Sequence, residues 1–283
     1  MSEFVRVSQA ALEALQRGER VALATVVRVR GSAPRHEGAR MLVWPDGRIV
    51  GTVGGATLEE RVIEDARESL ASGRGRLGKY IFSSEGDPES IGLCGGEVEV
   101  HVEVLEPDPE MLIIGAGHVA QPVAAIGHLI GMHVTVVDDR PAFATRERFP
   151  QADVVAVVPY DAATEKLDPL PATIGQATYI VVATWGWDEP ALAQVLAADP
   201  PPAYVGLVAS PTKARAIFEQ LAQRGLPQAR LDLVRAPIGL DLGAETPEEI
   251  ALAIVAEILA VRRKASGRPL FEARKPRQES EGA

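Results

Sequence analysis

The sequence predicts an α/β protein in which a doubly wound parallel sheet follows a smaller α+β domain. Three observations carry this expectation. From about residue 110 onward, short apolar runs alternate with helical patterns, as buried parallel strands alternate with their crossover helices. Gly115-Ala-Gly-His-Val-Ala120 stands between one such apolar run and one such helical stretch. Glu106-Pro-Asp-Pro-Glu110 sets two prolines where the pattern changes, the mark of a linker.

In chain order, residues 4–17 read as an amphipathic helix with Val5, Ala11, Leu12 and Leu15 on one side. The β-branched run 21–29 reads as a strand, and 41–44 with 48–51, joined by Pro45-Asp-Gly47, as a hairpin. A helix over 57–71 and strands over 79–82 and 97–105 complete the first domain, 1–106. In the second, 107–265, strands are expected at 111–114, 133–137, 154–158, 179–183 and 204–208, with helices near 189–198 and 211–224. Thr246-Pro-Glu-Glu249 predicts a helix start: Thr246 as cap, Pro247 in the first turn and Glu249 completing a capping box. Ile250, Ile254, Ile258 and Val261 then share one face, which suits docking on a core. The polar stretch 266–283 is expected to be a disordered tail.

The 115–120 segment matches the G-x-G-x-x-G/A dinucleotide fingerprint with its flanking strand and helix in register, which makes the second domain Rossmann-like. Gly115 permits the tight turn, Gly117 lets backbone approach a phosphate, and small Ala120 lets the helix lie close to the sheet. The helix N-terminus, starting near His118, offers N–H groups and positive dipole to an anion. Asp138, at the end of the next strand, stands where a carboxylate accepts from ribose hydroxyls. On that placement NAD is expected to be preferred over NADP, because Asp138 and Asp139 would repel a 2′-phosphate.

Composition narrows the class. A net charge of −10 argues against nucleic acid or an anionic membrane as partner. No apolar run approaches the length of a bilayer span, and the first residues lack the pattern of a secretory signal. One cysteine fits a reducing cytoplasm, the expected location. With five scattered histidines it offers no clustered ligand set, so no metal ligands are assigned.

Three loops of the first domain are candidate site material: 31–38 with Ser32, Arg35 and His36; the glycine-rich turn 51–59 with Gly54 and Gly55; and 91–96 with Cys94 between glycines. Gly73-Arg-Gly-Arg-Leu-Gly-Lys79 nearly spells a P-loop. Tyr80 replaces the magnesium-binding hydroxyl, however, and the segment lies between helix and strand instead of the reverse. In the second domain, loops 138–143, 184–188, 209–213 and 237–243 are expected to share the ligand-binding edge of the sheet. A crevice between the two domains is the expected ligand site.

Seven segments in order, VRGSAPRHEGARMLV (29–43), GTVGGATLE (51–59), LCGGEVEV (93–100), GAGHVAQPVA (115–124), VTVVDDRPAFATRERFPQAD (134–153), SPTKARAIF (210–218) and APIGLDLGAETPEEIALAIVAEILAVR (236–262), resemble the xanthine dehydrogenase accessory factor family, XdhC/CoxI. The resemblance covers roughly residues 8–265. It implies an accessory protein and not a turnover enzyme, so no catalytic residues are assigned. Such a protein binds the molybdenum cofactor, as molybdopterin or its dinucleotide form, and passes it in sulfurated form to a molybdenum hydroxylase client. A cysteine desulfurase is the further implied partner and a homodimer the implied assembly. Carried onto this chain, Gly115, Gly117 and the helix starting near His118 would hold the phosphate end, with Ala120 letting that helix lie close and Asp138 at the ribose position, and Arg35, Gly54, Gly55 and Cys94 would face the pterin and molybdenum. This chain departs from the family at Thr57, where some members carry cysteine, and at Trp185 and Trp187, where many carry histidine. The same fingerprint supports a second reading, an NAD-dependent oxidoreductase, for which His118, His36 or Lys213 would have to supply a proton.

Overall fold

A computed structural model of the chain describes residues 2–82 and 96–273. It divides into two compact units, Met1–Asp108 and Pro109–Ala283. Among the described residues, no helix is long and apolar enough to cross a membrane.

The first unit comprises α1 (Glu3–Gln16), β1 (Val21–Arg30), β2 (Arg40–Val43), β3 (Ile49–Gly51), α2 (Ala56–Ser72), β4 (Arg76–Ile81) and β5 (Glu97–Leu105). Its strands form an antiparallel sheet in the order β3-β2-β1-β5-β4. Period-two alternation sends Ala22, Ala24 and Val26 with Met41 and Val43 to one face, where Leu58, Val62, Ala66 and Leu70 of α2 cover them. Val21, Leu42 and Trp44 go to the other, under Val7, Ala11 and Ala14 of α1. The face of α1 therefore differs from the expected one: Val5 and Leu12 are exposed, and Val7 and Ala14 are buried instead. The helix lies so close that a side chain at Gly51 would meet Val7 at 2.6 Å. Close approach favours the small residues of α1 over its large ones.

The second unit contains β6 (Glu110–Ile114), α3 (Ala120–Leu129), β7 (His133–Asp138), β8 (Val154–Val157), β9 (Tyr160–Asp161), β10 (Lys166–Leu167), β11 (Thr178–Val182), α4 (Asp188–Leu196), β12 (Tyr204–Leu207), α5 (Pro211–Gln223), α6 (Gln228–Leu231), β13 (Val234–Arg235), α7 (Pro247–Arg262) and α8 (Leu270–Ala273). Six strands form a parallel sheet in the order β13-β12-β11-β6-β7-β8. Met111 and Ile113 point to a core shared with α3 and α7, while Leu112 and Ile114 point to one shared with α4 and α5. The sheet is thus doubly wound, as its unbroken apolar strands required. Thr246 and Glu249 form the expected capping box at the start of α7. The two-stranded ribbon β9–β10 and the two-residue strand β13 have no counterpart among the expected elements, because segments so short carry no periodicity. The helical turn α8 falls within the stretch expected to be disordered.

Candidate functional site

From β6 the chain builds outward to β7 and β8, then returns to place β11 on the other side of β6. The strand order reverses between β6 and β11, and ligands of open α/β sheets bind at such a switch point, beyond the C-terminal ends of the strands. The fingerprint turn stands there. Gly115 has φ +105°, and a Cβ on it would come within 2.2 Å of the Ala183 carbonyl oxygen just past β11. Only glycine meets both demands. Gly117 is the opposite case, since a Cβ there would find nothing within 4 Å. Ala120 is buried at the start of α3. The cap residue, Val119, makes no side-chain cap hydrogen bond, and the first turn of α3 holds no acidic side chain. His118 is exposed beside it.

Asp138 ends β7 and is fully buried. Its Oδ2 accepts from the Ala116 N–H at 2.6 Å and from Arg140 Nη2 at 2.9 Å. Its Oδ1 accepts from the Arg140 backbone N–H at 2.9 Å and from Arg140 Nε at 2.8 Å. A carboxylate has about four acceptor positions, so the fold itself takes all of them. A ribose hydroxyl reaches Asp138 only if Arg140 is displaced, and the expected NAD preference loses the contact it rested on. Burial opposes the Asp138 charge, but the Arg140 and Ala116 hydrogen bonds outweigh it and hold the carboxyl below the usual aspartate range. Burial, followed by the charge of Asp138, pushes the neighbouring Asp139 upward.

The segment after β7 adds a residue that was not singled out from the sequence. Arg148 Nη2 donates to the Ala116 carbonyl at 3.2 Å. Its guanidinium lies 4.9 Å from the centroid of the Phe143 ring, against which Arg140 also stacks at 3.7 Å. The Ala116 N–H and C=O are therefore both held by side chains, the one by Asp138 at the end of β7 and the other by Arg148 in the segment after it. No local pattern marks Arg148, since its partner lies thirty-two residues earlier.

Beyond β11, Trp187 is buried, donates its indole N–H to Asp139 at 3.0 Å and stacks on Tyr160. Trp185, two residues before it, is 86% exposed. Asp188 is buried, accepts from the Thr184 hydroxyl at 2.9 Å and pairs with Lys213 at 2.6 Å. The Lys213 ammonium, named as a proton source in the oxidoreductase reading, is thus already committed to a carboxylate.

In the first unit, Arg35 pairs with Glu3, and His36 is exposed. Gly54 has φ +152° and Gly55 φ +77° at the start of α2. The Gly55 N–H donates to Glu59 Oε1 at 3.0 Å, and the Thr52 hydroxyl donates to the same oxygen. An anion at this turn would have to displace Glu59. Cys94 lies outside the described residues. Among the described residues, no group of three or more His, Cys, Asp or Glu is arranged to hold a metal ion.

Comparison with known proteins adds a family. Residues 111–258 match the XdhC Rossmann domain, and residues 14–80 match the XdhC and CoxI family. Among curated relatives, the uncharacterized protein YqeB of Escherichia coli is 36% identical over 87% of this chain, which spans 44% of the length of YqeB. A Bacillus subtilis protein named as a probable xanthine dehydrogenase subunit is 26% identical over 88% of this chain and 96% of its own length. The molybdenum cofactor insertion chaperone PaoD of E. coli is 26% identical over 89% of this chain and 86% of its own length. The chain belongs to the XdhC and CoxI family, and its parallel-sheet unit carries the XdhC Rossmann domain.

Proposed function

We propose that this protein is an accessory factor that binds the molybdenum cofactor, as molybdopterin or its dinucleotide form, and delivers it to a molybdenum hydroxylase. The observation that carries the reading is the fingerprint turn at the switch point: open room at Gly117 and an α3 N-terminus whose first turn brings no carboxylate of its own. Such a turn suits a phosphate, because the N–H groups at a helix start and the helix dipole favour an anion. Relatives named as a cofactor insertion chaperone and as a xanthine dehydrogenase subunit support the accessory role. In this reading the backbone of Gly115 and Gly117 and the N–H groups opening α3 hold the phosphate end. Arg35, Gly54, Gly55 and Cys94 remain proposed contacts for the pterin end. When bound, the cofactor supplies the redox-active molybdenum that the client uses. A cysteine desulfurase as sulfur source and a homodimer as working assembly belong to the same proposal.

An NAD-dependent oxidoreductase draws on the same turn but asks Asp138 for a ribose contact, and Arg140 and Ala116 occupy that carboxylate. The test is to purify the protein from a molybdenum-replete host and measure released pterin fluorescence, with NAD and NADP titrated calorimetrically into the same preparation. Pterin should co-purify with the unaltered chain. Gly117→Val should remove it while leaving the melting temperature near that of the wild type, because the added side chain enters open space. Absence of pterin together with tight NAD binding would overturn the proposal.

A further inference from the structure

Arg148 brings to the fingerprint turn a positive charge with no matching negative one. Among the described residues no carboxylate pairs with it, whereas the nearby Arg140 is paired with Asp138 and lies 3.7 Å from Asp139. One N–H of Arg148 is spent on the Ala116 carbonyl, one residue before Gly117. Its Nε is buried with no hydrogen-bond partner, an exception among buried polar groups that calls for a reason. The Phe143 ring limits where the guanidinium can lie, so little rotamer freedom remains to be lost when a ligand arrives. The Nη groups of this guanidinium carry N–H donors beyond the one given to Ala116, and a guanidinium near an open glycine suits an oxyanion acceptor.

We infer that Arg148 is a phosphate-binding residue of this site, completing with the Gly117 backbone and the α3 N-terminus a cradle for a phosphate or pyrophosphate group. The inference rests on the proposed phosphate role of the fingerprint turn. Backbone N–H groups supply direction and a partial charge, and Arg148 supplies the full countercharge that an anion of two or more negative charges requires. It also separates the neighbouring arginines by role: Arg140 neutralises Asp138, and Arg148 serves the ligand.

The test titrates inorganic phosphate and, separately, pyrophosphate into the full chain by calorimetry at several salt concentrations. Wild type should bind pyrophosphate more tightly than phosphate. Arg148→Gln should weaken pyrophosphate binding by about tenfold to a hundredfold, the range of a charge-assisted hydrogen bond. It should also flatten the salt dependence, a readout that a brace for the Ala116 carbonyl would not move. Arg148→Lys should recover part of the affinity by restoring charge without the fork. In the unaltered protein, pyrophosphate should protect Arg148 from phenylglyoxal, with the modified site located by mass spectrometry, a measurement that does not depend on how any variant folds. Equal pyrophosphate affinity and salt slope in wild type and R148Q, or modification of Arg148 undiminished by pyrophosphate, would assign Arg148 to bracing alone and leave the fingerprint reading intact. Failure of wild type to bind either anion would overturn both.

Discussion

The turn that opens α2 and the turn that opens α3 are built alike. Each follows a strand, and each holds glycine at a φ that other residues resist, Gly54 and Gly55 before α2 and Gly115 before α3. They differ in what stands at the helix start. At α2 the Glu59 carboxylate folds back onto the Gly55 N–H and the Thr52 hydroxyl, so the chain brings its own anion. At α3 the first turn has no acidic residue, the position beside Gly117 is open, and Arg148 stands by with an unmatched charge. A glycine-rich turn at a helix start is therefore common ground. Whether it becomes a site depends on whether an internal carboxylate satisfies it first.

The largest expected effect comes from breaking the α3 turn itself. Gly115→Ala places a Cβ against the Ala183 carbonyl at a positive φ, and neither backbone can yield cheaply. It should cost about 3 kcal/mol or more in urea denaturation and abolish cofactor binding. Next is Arg140→Gln, which leaves the Asp138 carboxylate buried without its guanidinium. Because Arg140 is partly exposed, the loss should be nearer about 2 kcal/mol than that of a fully buried pair. The folded-state pKa of Asp138 is depressed, so its contribution is fully present above the unfolded value of about 3.9 and fades as pH falls through the folded value. The difference between wild type and R140Q should therefore shrink below about pH 4; a difference constant with pH would show that the pair contributes no net charge stabilisation. The smallest effect sharpens the comparison most directly. Glu59→Ala should cost about 1 kcal/mol and give the α2 turn a weak pyrophosphate affinity that the wild-type turn lacks. Calorimetry in the Gly117→Val background isolates that second site, and no gain there would mean that removing the internal anion does not suffice to make a site.

Much of the fold was legible because its signals are local. The apolar run before Gly115 and the alternation in 97–105 each announce their element within a few residues, as does the Thr246–Glu249 box. The buried face of α1 was not legible, because the choice between Leu12 and Ala14 depends on how closely the helix approaches a sheet that forms later in the chain. The position of Asp138 at the end of β7 was legible, but its occupation was not. An acidic residue at a strand end looks the same in sequence whether its partner is a ribose or a neighbouring arginine.

By itself, the sequence determined the parallel sheet, the fingerprint turn, the need for glycine at 115 and the cap of α7, since each follows from the steric and hydrogen-bonding demands of adjacent residues. Only the tertiary structure decided which acceptors remain free. Ala116 meets Asp138 across twenty-two residues and Arg148 across thirty-two. A hydrogen bond is decided by proximity in space, so the same Asp, Glu and Arg acquire different chemistry according to which distant backbone group the fold brings within about 3 Å.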